Sequence, residues 1–573
     1  MYDLSVYLLE SGHMDTQCKY LSKLLESFEH KPEIEYSVVI SNGEEKKITW
    51  KDLENECQSI MNSLKGIEKG VVLIFLRHSS SLHGTFFGTM MAGHTPSFMP
   101  CTSVKQDPAL YWASHQKLLN HIKPTAIITS KDVSQEILQA KLELGNTKII
   151  HIEDIEIPES KINIELRSED EIALLQHSSG TTGLKKGVAL TFDAIVKHAE
   201  SYSSSISITE EDTIVSWLPL YHDMGLMACM IMPAYTSTPV IHMSPFDWVG
   251  KPHLLFEVIE KYSGTLTWMP NFAFEHMALY APRMPHNYDI STMRAFISCS
   301  EVCRPESFDK FFNAFNEKGV EKSMLHTCYA MAETVFATSQ STLNRKAKRI
   351  LVNQRDLNRG EYVRIYDENE SNLETPRQLI ETGSIIEGLE VKIVDEDFKS
   401  LPELTIGEIS ISGTFIFDGY YRMPDLTKER VMNGSYMTKD LGFFDSSGRL
   451  YVLGRVDDLI IVQGRNIYAH QVEALVSTLE GIKPGRISAF GIYDPRIGSE
   501  SMIIVCEVEN GQSSEESQKI KSTINKLLQS TIEVVPKKIR LVTPGWLVKT
   551  SSGKVGRKEN KEKHLRESKG GDN

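Results

Sequence analysis

The 573-residue chain lacks the apolar run that a membrane-spanning helix requires. Its run Gly70–Leu76 falls far short of the roughly 20 residues needed to cross a bilayer. It also lacks paired cysteines. Cys18, Cys57, Cys101, Cys229, Cys299, Cys303, Cys328 and Cys506 are scattered and form no CxxC motif. Cys299 and Cys303 have no second ligand pair nearby, so neither a zinc site nor a disulfide framework is expected, and a reduced, cytoplasmic chain is the simpler reading. Basic residues are in deficit: 62 Lys and Arg face 76 Asp and Glu, a formal net charge of −14. This excludes a protein whose main work is gripping a nucleic acid backbone, although a local basic groove for a phosphate ligand remains open. The opening segment carries Asp3 and Glu10 with no basic stretch, so no signal peptide is expected. No internal repeat is visible.

What is present is ordinary globular composition at a length that suits roughly three to five folding units. Val71–Leu76, Thr125–Thr129, Thr147–Ile152 and Ala295–Ser298 read as buried strands. Between them lie amphipathic helical stretches such as Trp50–Leu64 and Pro252–Tyr262. That alternation predicts layered α/β structure with largely parallel sheets. Val391–Val394 and Glu408–Ser412 alternate apolar and polar residues, as half-exposed antiparallel strands do. The polar stretch Ser339–Ile380 looks inserted. Beyond Gly454 the pattern changes to a helix at Tyr468–Leu479, a strand at Ser501–Val508, a helix at Glu515–Leu528 and a strand at Lys538–Val542. We therefore expect a large N-terminal domain, residues 1–455, and a small C-terminal α+β domain, 456–573. The charged tail from Lys558 is expected to be disordered.

Four segments carry chemistry. In Ser178-Ser179-Gly180-Thr181-Thr182-Gly183-Leu184-Lys185-Lys186-Gly187, small residues let backbone amides approach closely. With hydroxyls and lysines they suit a polyphosphate, though a surface loop has similar composition and the order is not that of a Walker A loop. Tyr329-Ala330-Met331-Ala332-Glu333-Thr334 offers a ring to stack on a base, a carboxylate for Mg²⁺ and a hydroxyl for phosphate, but equally a buried tyrosine at a helix start. Asp440, in Thr438–Gly442, has two acceptor oxygens that suit the vicinal hydroxyls of a ribose, or simply a turn. Lys554, in Lys549–Arg557, is either a solvated lysine or a charge delivered on a glycine-containing loop.

In this order the four segments resemble the adenylate-forming superfamily of acyl-CoA synthetases, luciferases, peptide-synthetase adenylation domains and fatty acyl-AMP ligases, over about residues 35 to 557. Trp217–Leu226 (WLPLYHDMGL), Pro270–Phe274 (PNFAF) and Gly464–Tyr468 (GRNIY) are similar to the fatty acyl-AMP ligase branch. Ser339–Ile380 falls where those ligases carry a segment that disfavours coenzyme A. The resemblance implies ATP and Mg²⁺ as cofactors, a fatty acid substrate and the phosphopantetheine thiol of a separate acyl carrier protein as acceptor, in lipid or polyketide-type assembly. It implies that Ser178, Ser179, Gly180, Thr181, Thr182, Gly183 and Lys186 hold the phosphates and that Thr181 adjoins the metal. Tyr329 would stack on adenine with Ala330, Met331 and Ala332 beside it and Ser300, Glu301 and Val302 opposite. Glu333 would bind Mg²⁺, Thr334 the α-phosphate, and Asp440 and Arg455 the ribose. His222 would sit by the acyl carboxylate, Lys554 would bridge carboxylate and α-phosphate, and Asp457 would be the hinge of the small domain. Lys185 stands where proline is usual, and Cys299 in Ser298–Glu301 is expected to make the adenine pocket bulkier. Trp217, Trp268, Phe272 and Phe274 suggest an apolar channel or an aromatic core. Use of free coenzyme A, a non-catalytic nucleotide or acyl-adenylate binder, and oxidation of the adenylate as in luciferase stay open as alternatives.

Overall fold

The computed structural model describes residues 17–102, 108–177, 186–285, 287–367, 373, 375–462, 465–494, 499–509, 513–550 and 554–569. The parallel strands expected from apolar runs are there. Val71–Phe75 is buried throughout and sits between Thr95–Phe98 and Ala126–Thr129, with Lys148–His151 beyond, in a four-stranded parallel sheet. Burial on both faces is why Val71–Phe75 and Ala126–Thr129 read as continuous hydrophobic runs, whereas Lys148–His151, expected to be buried, is a half-exposed edge strand.

A nine-stranded sheet forms the second layer. Its centre runs Leu266–Pro270, Ala295–Cys299, Leu325–Ala330, all parallel. The carboxyl ends of these three strands lead directly into Asn271, Ser300 and Met331. Ligand crevices of open α/β sheets form at such ends. Helices pack on the sheets through amphipathic faces. Trp50–Ser63 starts at a Thr49/Asp52 capping box and buries Trp50, Leu53, Cys57, Ile60 and Met61. A five-stranded antiparallel sheet follows, built on Leu389–Val394, Gly407–Gly413, Ser435–Phe444 and Leu450–Arg455 with Val431–Met432 at one edge. Within the polar segment Ser339–Ile380 the described residues form paired strands and a core. Arg349–Asn353 pairs with Pro376–Ile380, and Ile350, Val352, Leu357, Val363 and Leu379 share a core with Leu441, Phe443 and Tyr451.

Beyond Asp458 a separate hydrophobic cluster joins Ile460, Val472, Ile504, Ile524 and Leu528. Its sheet holds Ile482–Asp494, Ser499–Val508 and Lys538–Val542. The first of these strands has no clear apolar run because Pro484 and Gly485 interrupt it; the register shifts there between Ile482 and Ile487. The tail corrects an expectation: Arg557–Lys569 is a helix. Composition misled because several of its side chains find partners outside the tail. Asn560, fully buried, bonds Val548 N and O and Gly556 O at 2.8–2.9 Å. Lys563 and Arg540 stack on Trp546, and Arg540 also pairs with Glu567. Among the described residues no helix is long and apolar enough to cross a membrane.

Candidate active site

Antiparallel pairing builds one wall of the crevice. Asp440 on Ser435–Phe444 lies opposite Arg455 on Leu450–Arg455, and the Arg455 Nε is 3.4 Å from Asp440 Oδ1. Tyr329, at the end of the buried strand Leu325–Ala330, donates its hydroxyl to the other oxygen, Oδ2, at 2.6 Å. The Tyr329 ring thus meets a carboxylate 111 positions and a guanidinium 126 positions further along the chain. Burial pushes the Asp440 carboxyl above the usual carboxylate range, against the pull of Arg455 and the Tyr329 hydroxyl. Burial and the Asp440 charge push the Tyr329 phenol well above its ordinary value, so it stays a hydrogen-bond donor.

Glu333 lies one short turn beyond Tyr329. It is nearly buried and accepts a hydrogen bond from the Tyr420 hydroxyl at 2.7 Å. The Lys186 ammonium stands 5.0 Å over the Tyr420 ring, and burial, followed by Arg430, lowers its affinity for a proton. Lys186 and Tyr420 come together because Tyr420 pairs with Val188 across adjacent strands. The turn itself is strained. Val335 has φ +64° and ψ −58°, and Phe336 N donates to Thr334 O at 2.7 Å across it. A β-branched residue in that region costs on the order of 1–3 kcal/mol, and such strain clusters at functional sites. Thr334 corrects an expectation. Its hydroxyl is fully buried and engaged with Met331 O, Phe336 O and Thr338 Oγ1 at 2.9–3.2 Å, so it fastens the turn instead of facing the crevice.

The opposite wall comes from Ser300-Glu301-Val302. Ser300 adopts φ +65°, and its carbonyl accepts the Lys554 Nζ at 2.5 Å. Lys554 is held by Thr550, whose N–H donates to Lys554 O at 2.8 Å, and the loop base is clamped at Arg557. The Arg557 guanidinium spans Glu473 at 2.7–2.9 Å and Asp458 at 2.6 Å. Asp457 sits beside that clamp in the turn Val456–Asp458. His222 lies near: its Nδ1 is 2.6 Å from Asp223 Oδ1. Burial raises Asp223, but the His222 imidazole, the Met224 N–H and the Lys554 charge together bring its carboxyl below the ordinary range. Asp223 was not singled out from sequence, although it lies inside WLPLYHDMGL. Past it, Met224–Ile231 is a π-helix, a wide form frequent at functional sites. Gly225 permits this turn, because a Cβ there would lie 2.4 Å from Pro219 O.

The signature residues divide by role. Asn271 is a buried staple, accepting Arg304 N at 3.1 Å and donating to Ser307 Oγ at 2.9 Å. Phe272, partly exposed, donates its N–H to Glu301 at 2.9 Å and lies 6.3 Å from Trp217, which stacks on Trp248 at 3.6 Å. Trp268 is fully buried and donates to the Tyr202 hydroxyl, and Phe274 packs with Phe308 and Phe311. These two belong to the core, as does Trp217 at 4% exposure, so of the four aromatics only Phe272 is exposed. Cys299 is also fully buried, so it does not thicken the adenine pocket as expected. Ser178–Gly183 and Lys185 lie outside the described residues, Thr181 among them.

Together these elements set a tyrosine, a carboxylate and a guanidinium at the carboxyl end of a parallel sheet, and bring a lysine from the C-terminal segment to the end of a neighbouring strand. The chain belongs to the AMP-binding enzyme family, which matches residues 25–421. It is 26% identical over 90% of both chains to a medium-chain-fatty-acid–[acyl-carrier-protein] ligase, JamA, of Moorena producens. It is also 26% identical to the long-chain-fatty-acid–AMP ligase FadD32 of Mycolicibacterium smegmatis, covering 82% of this chain and 81% of that one. In fold it matches a solved structure from a study of fatty acyl-adenylate ligases of E. coli and L. pneumophila, with TM-score 0.85, 24% identity, and 97% and 99% of the two chains covered.

Proposed function

We propose that the protein joins a fatty acid to AMP from ATP and then passes the acyl group to a phosphopantetheine thiol on a separate carrier protein. The observation that carries this reading is the reach of Lys554 to the Ser300 carbonyl, where its charge also acts on Asp223, the partner of His222. A carboxylate is a poor acyl donor because oxide would have to leave. In the first step a carboxylate oxygen attacks the α-phosphorus, the bond to the bridging β-phosphate oxygen breaks, and pyrophosphate departs with that electron pair. In the second step a thiol sulfur attacks the acyl carbon, the bond to AMP breaks, and the thiol proton is released. Each step is mostly alignment plus charge neutralisation.

The residues divide that work. Tyr329 flanks the base. Asp440 still has free lone pairs on both oxygens for the ribose hydroxyls, and Arg455 holds it in place. Lys554 neutralises charge on the α-phosphate and orients the carboxylate, near His222. Phe272 borders the start of the acyl path. Residues 456–573 act as a mobile unit turning at Asp457. Glu333 fits Mg²⁺: a single buried carboxylate is what this ion takes when substrate phosphates complete its shell, and no cluster of three metal-binding side chains exists among the described residues. Bound there, the ion would offset phosphate charge.

Two outcomes test the reading. ATP–pyrophosphate exchange should depend on a fatty acid, and a panel of chain lengths should identify which. With ATP and that acid present, holo-carrier protein should become acylated at least tenfold faster than coenzyme A. Efficient acyl-CoA formation would instead favour a synthetase, and no exchange with any acid would favour a non-catalytic binder. Asp440→Asn should raise the KM for ATP about tenfold, the scale of a lost charge-assisted hydrogen bond, with kcat little changed. An unaltered KM would remove Asp440 from the ribose site.

A further inference from the structure

One cation near Glu333 has no use in the chemistry above. Arg430 closes the helix Pro424–Arg430 and is 5% exposed. Among the described residues no carboxylate pairs with its guanidinium, and its Nε has no hydrogen-bond partner. Its one polar contact is long: Nη2 donates to the Tyr436 hydroxyl at 3.5 Å, with the guanidinium 5.5 Å from that ring's centre. The Tyr436 hydroxyl is 3.4 Å from that of Tyr420, which bonds Glu333 at 2.7 Å and carries Lys186 over its ring. A connected path therefore runs from Arg430 to the carboxylate that we assign to the metal.

Arginine cannot shed its proton to relieve burial, so the charge persists. A buried charge without a partner is costly and survives where something else needs it. Asp440 is already held by Arg455, so among the described residues Glu333 is the carboxylate that acts on Lys186 beside Arg430. This end of the crevice is thus positive before any substrate arrives, and the anion with matching charge is a polyphosphate. An arginine serving only to hold Tyr436 would be expected to satisfy its remaining N–H groups on nearby carbonyls, and this one does not.

We infer that Arg430 is the buried counter-charge for the pyrophosphate half of ATP, a positioning residue acting through Tyr436 and Tyr420 on Glu333. This rests on the adenylation reading. The test is thermal unfolding of the full chain with magnesium pyrophosphate or with AMP, comparing the unmodified protein with Arg430→Met and Arg430→Lys. Arg430→Met should melt at or above the unmodified temperature without ligand, because an unpaired charge has been removed. It should bind pyrophosphate about 10- to 100-fold more weakly while keeping its AMP-induced rise, and Arg430→Lys should recover part of the pyrophosphate response. A ligand that binds only the folded state raises its stability in step with its affinity, so the two ligands report separately. An Arg430→Met protein that fails to fold, melts lower, or weakens for both ligands equally would make the residue structural and overturn the inference. So would an unchanged pyrophosphate response. If the unmodified protein responds to neither ligand, the adenylation reading itself fails.

Discussion

Replacing Lys554 with alanine is expected to slow acid-dependent ATP–pyrophosphate exchange by about 10²–10³-fold, the scale on which removing one preorganised donor acts. The reason is geometric. The ammonium sits 2.5 Å from the Ser300 carbonyl, where it also lowers the proton affinity of Asp223. The Arg557 clamp on Glu473 and Asp458 holds the base of its loop, so little reorganisation is needed when charge builds on the phosphate. Transfer from preformed acyl-AMP to a holo-carrier should stay within a few-fold of normal. Attack of a thiol on the acyl carbon expels AMP and builds no new charge on the α-phosphate for the lysine to neutralise, so that step does not call on Lys554 as adenylation does. Arginine at 554 should not rescue exchange, since a planar fork cannot replace a compact ammonium against a single carbonyl. Exchange at the unmodified rate in Lys554→Ala would remove the residue from the reaction. Equal loss in both half-reactions would show a structural role.

Residues whose task is set by type and local order were legible in sequence. Tyr329 meets Asp440 beside Arg455, Glu333 meets Tyr420, and Lys554 meets Ser300, and the buried parallel strands declared themselves as apolar runs. What sequence hid were orientations and long-range partners. Thr334 looks like a phosphate ligand by composition, yet the strained Val335 turn rotates its hydroxyl into the protein. Tyr420 and Arg430 carry no local signal, because their meaning arises only when Tyr420 pairs with Val188 and so meets Glu333, 87 residues away. The helix Arg557–Lys569 was hidden for the opposite reason. A charged, low-hydropathy segment normally cannot offset its ordering entropy, but here Trp546, Glu473 and Val548 offer partners that no window of the tail contains.

Glu333→Gln should lower adenylation about 10²-fold and shift the magnesium concentration needed for half-maximal rate upward, while leaving the fold intact. Glutamine keeps an oxygen able to accept the Tyr420 hydroxyl, so the buried chain Tyr436–Tyr420–Glu333 stays satisfied. It loses the negative charge, the one feature a hard divalent cation needs from this position. Alanine would confound the test, because it leaves the Tyr420 hydroxyl buried without an acceptor, at a cost of about 1–3 kcal/mol. Removing the charge also leaves Lys186 and Arg430 unopposed at that end of the crevice. Free pyrophosphate should therefore bind Glu333→Gln at least as tightly as it binds the unmodified protein when magnesium is absent, even as the forward reaction fails. Those two effects have opposite signs, which separates loss of a metal ligand from general damage to the site. If Glu333→Gln shows the same magnesium dependence as the unmodified enzyme, Glu333 serves only as the acceptor for Tyr420, and the metal must find its protein ligand elsewhere.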